Sequence, residues 1–140
     1  MAKCVTELDV YKKAYRQAME LFDASRGFPP EERFALTSQI RRSSRSICQN
    51  LREAWAKRRY AAHFVSKLTD CDGENAETAT SLQFALDCHY VCVETFASLA
   101  QLNRDVGNML GAMIADPSPF LPTGQDPARE DGVSYEPTDS

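Results

Sequence analysis

Seven cations, Arg41, Arg42, Arg45, Arg52, Lys57, Arg58 and Arg59, lie between positions 41 and 59 against one acid, Glu53, a net charge of +6. If that stretch is helical, Arg41, Arg45, Arg52 and Arg59 fall at about 0°, 40°, 20° and 0° around the axis and form one line. Guanidinium forks match phosphate oxygens, so such a line suits a nucleic-acid backbone. The same line also suits a solvated face, or ion pairs with an acidic partner. That partner is available in the chain: Asp70, Asp72, Glu74, Glu77, Asp87 and Glu94 lie in residues 68–103, which contain no base and carry −6.

Trp55 and Tyr60 flank the basic line. They could stack on bases, but exposed aromatics more often anchor protein interfaces. Glu53 and Glu77 sit beside the apolar positions of their segments and are expected to pair structurally with the arginines of the basic stretch. Patterns that carry catalysis are missing. Cys88, His89 and Cys92 lack a fourth ligand for zinc. Cys48 has no histidine in a context that would orient it. No Glu-x-x-His motif supports a diiron site, and no glycine loop supports phosphate binding. The expectation is a protein that is not an enzyme, with no catalytic residues, no cofactor and no metal.

The elements needed to position these residues read as helices. Thr6-Glu-Leu-Asp9 has the composition of a helix start, and Leu8, Tyr11, Tyr15, Ala18 and Phe22 recur at helical spacing before Gly27 and Pro29-Pro30. A second helix is expected from Pro30 to Arg59, about 28 residues, with Ile40, Ser43, Ser44, Ile47, Leu51 and Ala54 inward and Lys57-Arg58-Arg59 in its last turn. A third carries Phe64, Leu68, Cys71, Asn75, Thr78, Leu82 and Ala85, with Gly73 marking a close backbone approach. A turn at Asp87-Cys-His-Tyr90 leads to a fourth with Phe96, Leu99, Asn103, Val106, Leu110 and Met113. The fold class is therefore all-α: an antiparallel up-down four-helix bundle over residues 1–115. Residues 116–140 hold Pro117, Pro119, Pro122, Pro127 and Pro137 and account for all of the net negative charge, and are expected to be a disordered acidic tail. Tyr60, Val65, Tyr90, Val93, Leu102 and Met109 lie off the helix seams, which predicts self-association. The odd count of five cysteines, with no signal peptide or membrane span, predicts a cytoplasmic location.

Thr37-Ser-Gln-Ile-Arg-Arg42, Ser46-Ile-Cys-Gln-Asn50 and Glu53-Ala-Trp55 resemble the second helix of the 23S rRNA intervening sequence proteins. Lys57-Arg-Arg-Tyr60, Phe64-Val-Ser-Lys-Leu68, Gly73-Glu74, Ala76-Glu-Thr78 and Phe84-Ala85 resemble the third helix of that family, and Leu8-Asp-Val-Tyr11 and Phe28-Pro-Pro-Glu-Glu-Arg33 also fit. The resemblance spans roughly residues 6–115. It implies a four-helix bundle that assembles as a homo-oligomer, a pentameric ring in relatives. It also implies an RNA or reverse-transcriptase partner by analogy with a related branch that serves diversity-generating retroelements. The family's Asn-Ile-Ala-Glu reads Asn50-Leu-Arg-Glu53 here. Its Gly-Tyr reads His89-Tyr90, which predicts a different cap geometry. Two readings follow: an interaction module that binds RNA or a nucleic-acid-associated protein through the basic helix, or a purely scaffolding oligomer whose +6 and −6 segments pair between subunits.

Overall fold

The computed structural model describes residues 4–122. Four helices, α1 (Asp9–Ser25), α2 (Leu36–Ala56), α3 (Ala61–Asp87) and α4 (Val93–Ala115), are joined by short links, and the described residues contain no strand. Each helix packs on the next, and α1 closes against α4. With links this short, neighbours must run antiparallel, so the chain forms an up-down bundle.

The seams of α2, α3 and α4 are the expected ones except at Phe96, which is only partly buried: Ile40, Ile47, Leu51 and Ala54, then Phe64, Leu68, Cys71 and Leu82, then Leu99, Val106, Leu110 and Met113 are buried. That of α1 is displaced. Its buried face is Val10, Ala14, Gln17, Ala18, Leu21 and Ser25, while Tyr15 is half exposed and Tyr11 and Phe22 are only partly covered. The aromatic stripe lies about 90° round the helix from the true seam. Tyrosine tolerates a surface position because its hydroxyl stays wet. Gln17 tolerates the interior because both ends of its amide find partners. Nor does Thr6 cap α1: the helix starts at Asp9, with Leu8 before it and no side-chain cap.

Helix α2 has 21 residues rather than 28. Pro30–Glu32 form a separate 3-10 turn, and the backbone breaks at Ala35, with φ −123° and ψ −103°. Glu32 substitutes for the cap. Its Oε1 accepts from the Leu36 amide at 3.2 Å, and its Oε2 accepts from the Tyr90 hydroxyl at 2.8 Å. This second bond ties the start of α2 to the α3–α4 corner and pushes the Tyr90 phenol up to about 12. At the other end α2 stops at Ala56, so Lys57, Arg58 and Arg59 lie beyond the helix and not in its last turn.

Two apolar clusters fill the interior. One contains Ile47, Leu51, Trp55, Phe64, Leu68, Val106 and Leu110. The other, at the opposite end, contains Leu21, Phe28, Leu36, Ile40, Leu82 and Leu99. Between them runs a buried polar layer to which every helix contributes. Asn103 Nδ2 donates to Gln17 Oε1 at 2.9 Å and to Asn75 O at 3.0 Å, and Gln17 Nε2 donates to Asn75 Oδ1 at 3.3 Å. Asn75 Nδ2 donates to the Asn103 carbonyl at 3.0 Å, and the hydroxyls of Ser43 and Thr78 bond at 2.8 Å. The close approach expected at Gly73 is instead at Gly107, where a Cβ would lie 3.3 Å from Asn75 Nδ2; Gly73 is exposed, and a Cβ there would meet open space.

The packed unit continues past Ala115. Ser118–Phe120 form a 3-10 turn, Phe120 packs against Phe64 at 6.4 Å between ring centroids, and Leu121 is 3% exposed within the larger cluster. The boundary expected at residue 115 therefore shifts to at least Leu121. The proline count concealed two adjacent apolar anchors. The expected disorder of residues 123–140 concerns a segment outside the described residues.

His89 has φ 64°. This is the left-handed region, so the turn keeps the geometry a glycine would take, contrary to the expected change of cap. A residue with a Cβ is destabilised by about 1–2 kcal/mol there. His89→Gly is expected to raise stability by about 0.5–1 kcal/mol, after allowance for glycine's larger unfolded-state entropy. Thermal unfolding should show a midpoint higher by a few degrees; an unchanged or lowered midpoint would refute the strain.

Candidate interaction surface

The aromatic stripe of α1 and the arginine stripe of α2 meet along the outside of the α1–α2 seam. The Arg41 guanidinium lies 4.7 Å from the centre of the Phe22 ring, and its Nε donates to Ser25 Oγ at 2.8 Å. Arg45 lies over the same ring at 5.7 Å and Arg26 at 5.8 Å. Further along, Arg52 lies 5.8 Å over Tyr11 and donates to its hydroxyl at 3.5 Å. Each cation–π contact at an exposed site contributes about 0.5–1 kcal/mol, enough to orient a guanidinium without neutralising it. Arg41, Arg45 and Arg52 form no ion pair among the described residues.

The other predicted cations are placed differently. Arg42 points to the opposite flank of α2, where it bonds Glu77 Oε1 at 2.6 Å and Glu74 Oε1 at 3.2 Å. Arg58 folds back on its own helix end, donating to the Trp55 carbonyl at 2.8 Å and covering the Trp55 ring at 4.1 Å. Lys57 and Arg59 are exposed on the α2–α3 link. The arginine line is thus Arg41, Arg45 and Arg52, joined by Arg26, and Arg59 has left it because the helix has already ended.

Trp55 and Tyr60 separate. Trp55 is buried in the larger cluster and cannot serve as a surface anchor, whereas Tyr60 is half exposed and stacks obliquely on His63. Glu77 pairs with an α2 arginine as expected. Glu53 instead takes Lys67 of α3 at 2.8 Å, because the turn of α2 that carries it faces α3. The Lys67 ammonium, through its hydrogen bond and charge, holds the Glu53 carboxyl below its usual range. Neither carboxylate is buried; both bind α2 to α3 at the surface. Of the off-seam apolar residues, Leu102 is buried in the bundle and Val65, Tyr90 and Met109 are partly buried. The large apolar side chains left exposed include Phe34, Phe84 and Val93, which the up-down topology puts at the same end of the bundle.

The cysteines divide by environment. Burial pushes the Cys48 thiol up to about 11 and the Cys71 thiol to about 12, which keeps both protonated and poorly nucleophilic. Cys92 begins α4, where hydrogen bonds with the hydroxyl and amide of Thr95 lower its thiol. Among the described residues no three His, Cys, Asp or Glu side chains are grouped as metal ligands. No helix among them is long and apolar enough to cross a membrane.

The family model of the 23S rRNA-intervening sequence proteins matches residues 6–112, from the turn before α1 almost to the end of α4. The chain belongs to this family. A solved structure of a protein of unknown function from the S23 ribosomal protein family of Bacteroides thetaiotaomicron VPI-5482 is similar to it, with a TM-score of 0.68 and 26% sequence identity, covering 75% of this chain and 97% of that chain. Among curated proteins no match is found. In this member of the 23S rRNA-intervening sequence family, the matched span includes every residue of the α1–α2 surface and of the polar layer. It stops short of Phe120 and Leu121, which cover the end of the core.

The basic stretch was visible in the sequence; its aromatic bed was not. Reading Tyr11, Tyr15 and Phe22 as core hid them, and Arg26, outside the basic stretch, drew no notice. The signal lay in the alternative register, since Val10, Ala14, Ala18 and Leu21 form an equally good apolar stripe that leaves the aromatics and Arg26 on its flank.

Proposed function

We propose that this protein is a non-enzymatic interaction module that binds the phosphate backbone of RNA through the α1–α2 face and works as a homo-oligomer in the cytoplasm. The observation that carries the reading is the contrast between two sides of α2. Arg42 is matched by two carboxylates, whereas Arg41, Arg45 and Arg52 are held over aromatic rings and form no ion pair among the described residues. Side chains oriented but left charged are suited to an anion that comes from outside. The words attached to the family and to the solved neighbour, an rRNA and a ribosomal protein family, favour RNA among polyanions.

The scaffolding alternative needs the basic segment to pair with the acidic segment of another subunit. Part of that pairing is already made within one chain, by Arg42 with Glu74 and Glu77. Assembly is better supported by Phe34, Phe84 and Val93, exposed at one end. By the resemblance described above, a pentamer is the favoured form.

The test is fluorescence anisotropy with a structured RNA. Three arginine–phosphate contacts predict an affinity loss of roughly 10–50-fold between 50 and 200 mM salt. Arg41→Glu/Arg45→Glu should abolish most of the binding while light scattering shows the oligomer intact. RNA binding that survives this double change, or that is absent at low salt, would refute the reading. If the double change instead dissociates the oligomer, the scaffold is favoured.

A further inference from the structure

The α1–α2 face contains more than positive charge. Tyr11 and Tyr15 stack with ring centroids 6.1 Å apart and 30° between their planes, and Tyr15 is 53% exposed. Beside them Tyr11, Cys48, Gln49, Arg52, Glu53 and Ala56 line an open cleft of about 370 Å³. Tyr11, Cys48 and Ala56 give it an apolar side, and Gln49, Arg52 and Glu53 a polar one. Gln49 makes no side-chain hydrogen bond among the described residues, so its amide has both a donor and an acceptor to offer. Arg45 and Arg52 are seven residues apart on α2, about 10 Å along the axis, so cations continue past the cleft toward Phe22.

Duplex RNA buries its base faces and offers a protein only phosphates, sugars and groove edges. A half-exposed aromatic ring beside a line of arginines matches a strand whose bases are unpaired, because any base can stack on a ring while arginines follow the backbone. We propose that the α1–α2 face is a stacking platform for single-stranded RNA, in which an unpaired base stacks on Tyr15, its neighbour enters the cleft lined by Tyr11, Gln49 and Arg52, and Arg45 and Arg41 hold the adjoining phosphates. This rests on the RNA-binding reading above and specifies the form of RNA.

The test compares three labelled probes of equal length at low salt: an oligouridylate strand, the same strand annealed to its complement, and a ribose–phosphate strand without bases. The intact single strand is expected to bind roughly tenfold more tightly than the baseless strand. Tyr15→Ala should reduce the intact strand to the baseless level and leave the baseless affinity unchanged. Tyr15→Phe should keep the preference, since the ring suffices. Circular dichroism of both variants should match the parent, as Tyr15 is outside the core. Equal binding of intact and baseless strands, with the salt dependence retained, would overturn the platform and leave the phosphate-binding reading in place. So would preference for the duplex. Failure of all three probes to bind would remove both.

Discussion

Replacing Asn103 with alanine is expected to lower the unfolding free energy by about 3 kcal/mol. The side chain is 8% exposed, and its Nδ2 serves Gln17 Oε1, Asn75 O and Asn75 Oδ1 from a single position. Removal leaves Gln17 Oε1 buried without a donor, and the desolvation penalty of such a group is about 1–3 kcal/mol. The void left by the amide adds to this. In a domain of this size the thermal midpoint should fall by about 10 °C. The physical cause can be isolated with Gln17→Leu/Asn75→Leu/Asn103→Leu, which removes every member of the amide cluster and fills the space. If unsatisfied polarity is the origin of the loss, the triple variant should be more stable than Asn103→Ala, since replacing a whole buried network by apolar groups is often neutral or better. A triple variant less stable than the single one would show that the network itself contributes net stability. Urea unfolding of the three proteins decides between them.

Trp55→Ala should cost about 4 kcal/mol and act on folding, not on association. Trp55 is the one tryptophan in the chain and is packed in the larger cluster near the α2–α3 link. Its loss would open a large void and remove the ring on which Arg58 rests. Trp55→Phe should be much milder than its lost volume suggests. The indole Nε1 is buried and has no hydrogen-bond partner among the described residues, so phenylalanine discards an unpaid donor together with the extra ring atoms. Chemical denaturation separates the two variants, and light scattering at native conditions tests the assembly. Were Trp55 a surface anchor, alanine would release monomers that remain folded with undiminished unfolding free energy.

The contrast between Trp55 and Tyr15 explains what could be read from the residues and what could not. Helices α3 and α4 were legible because their inward positions are unbroken at helical spacing, even where those positions are Asn75, Thr78 or Asn103. Helix α1 was misread because two stripes compete and only neighbours decide between them; Gln17 belongs inside solely because Asn75 and Asn103 meet it from α3 and α4. The length of α2 was overestimated because nothing in its composition forbids a helix through Arg33–Ala35. The break depends on Glu32 reaching both Leu36 and Tyr90, a contact across 58 positions in the second case. The same limit applies to the surface. Charge is counted from a sequence, but whether a guanidinium is matched, as Arg42 is, or left open, as Arg45 is, depends on which helix stands beside it.

The amide layer also divides the molecule unequally in its resistance to opening. Sixteen of the buried residues described lie in the cluster containing Trp55 and seven in the cluster containing Phe28. Because the layer between them is held by directional bonds, the smaller cluster can come apart while the larger one and the amides stay closed. Local unfolding is therefore expected to be easier at the Phe28 end, the end that carries Phe34, Phe84 and Val93, than at the Trp55 end. The α1–α2 face extends over both clusters, with Phe22 and Arg41 towards the smaller one and Tyr11 and Arg52 on the larger one. A long ligand lying across that face would bridge a rigid cooperative unit and a softer one, and would hold the softer one shut.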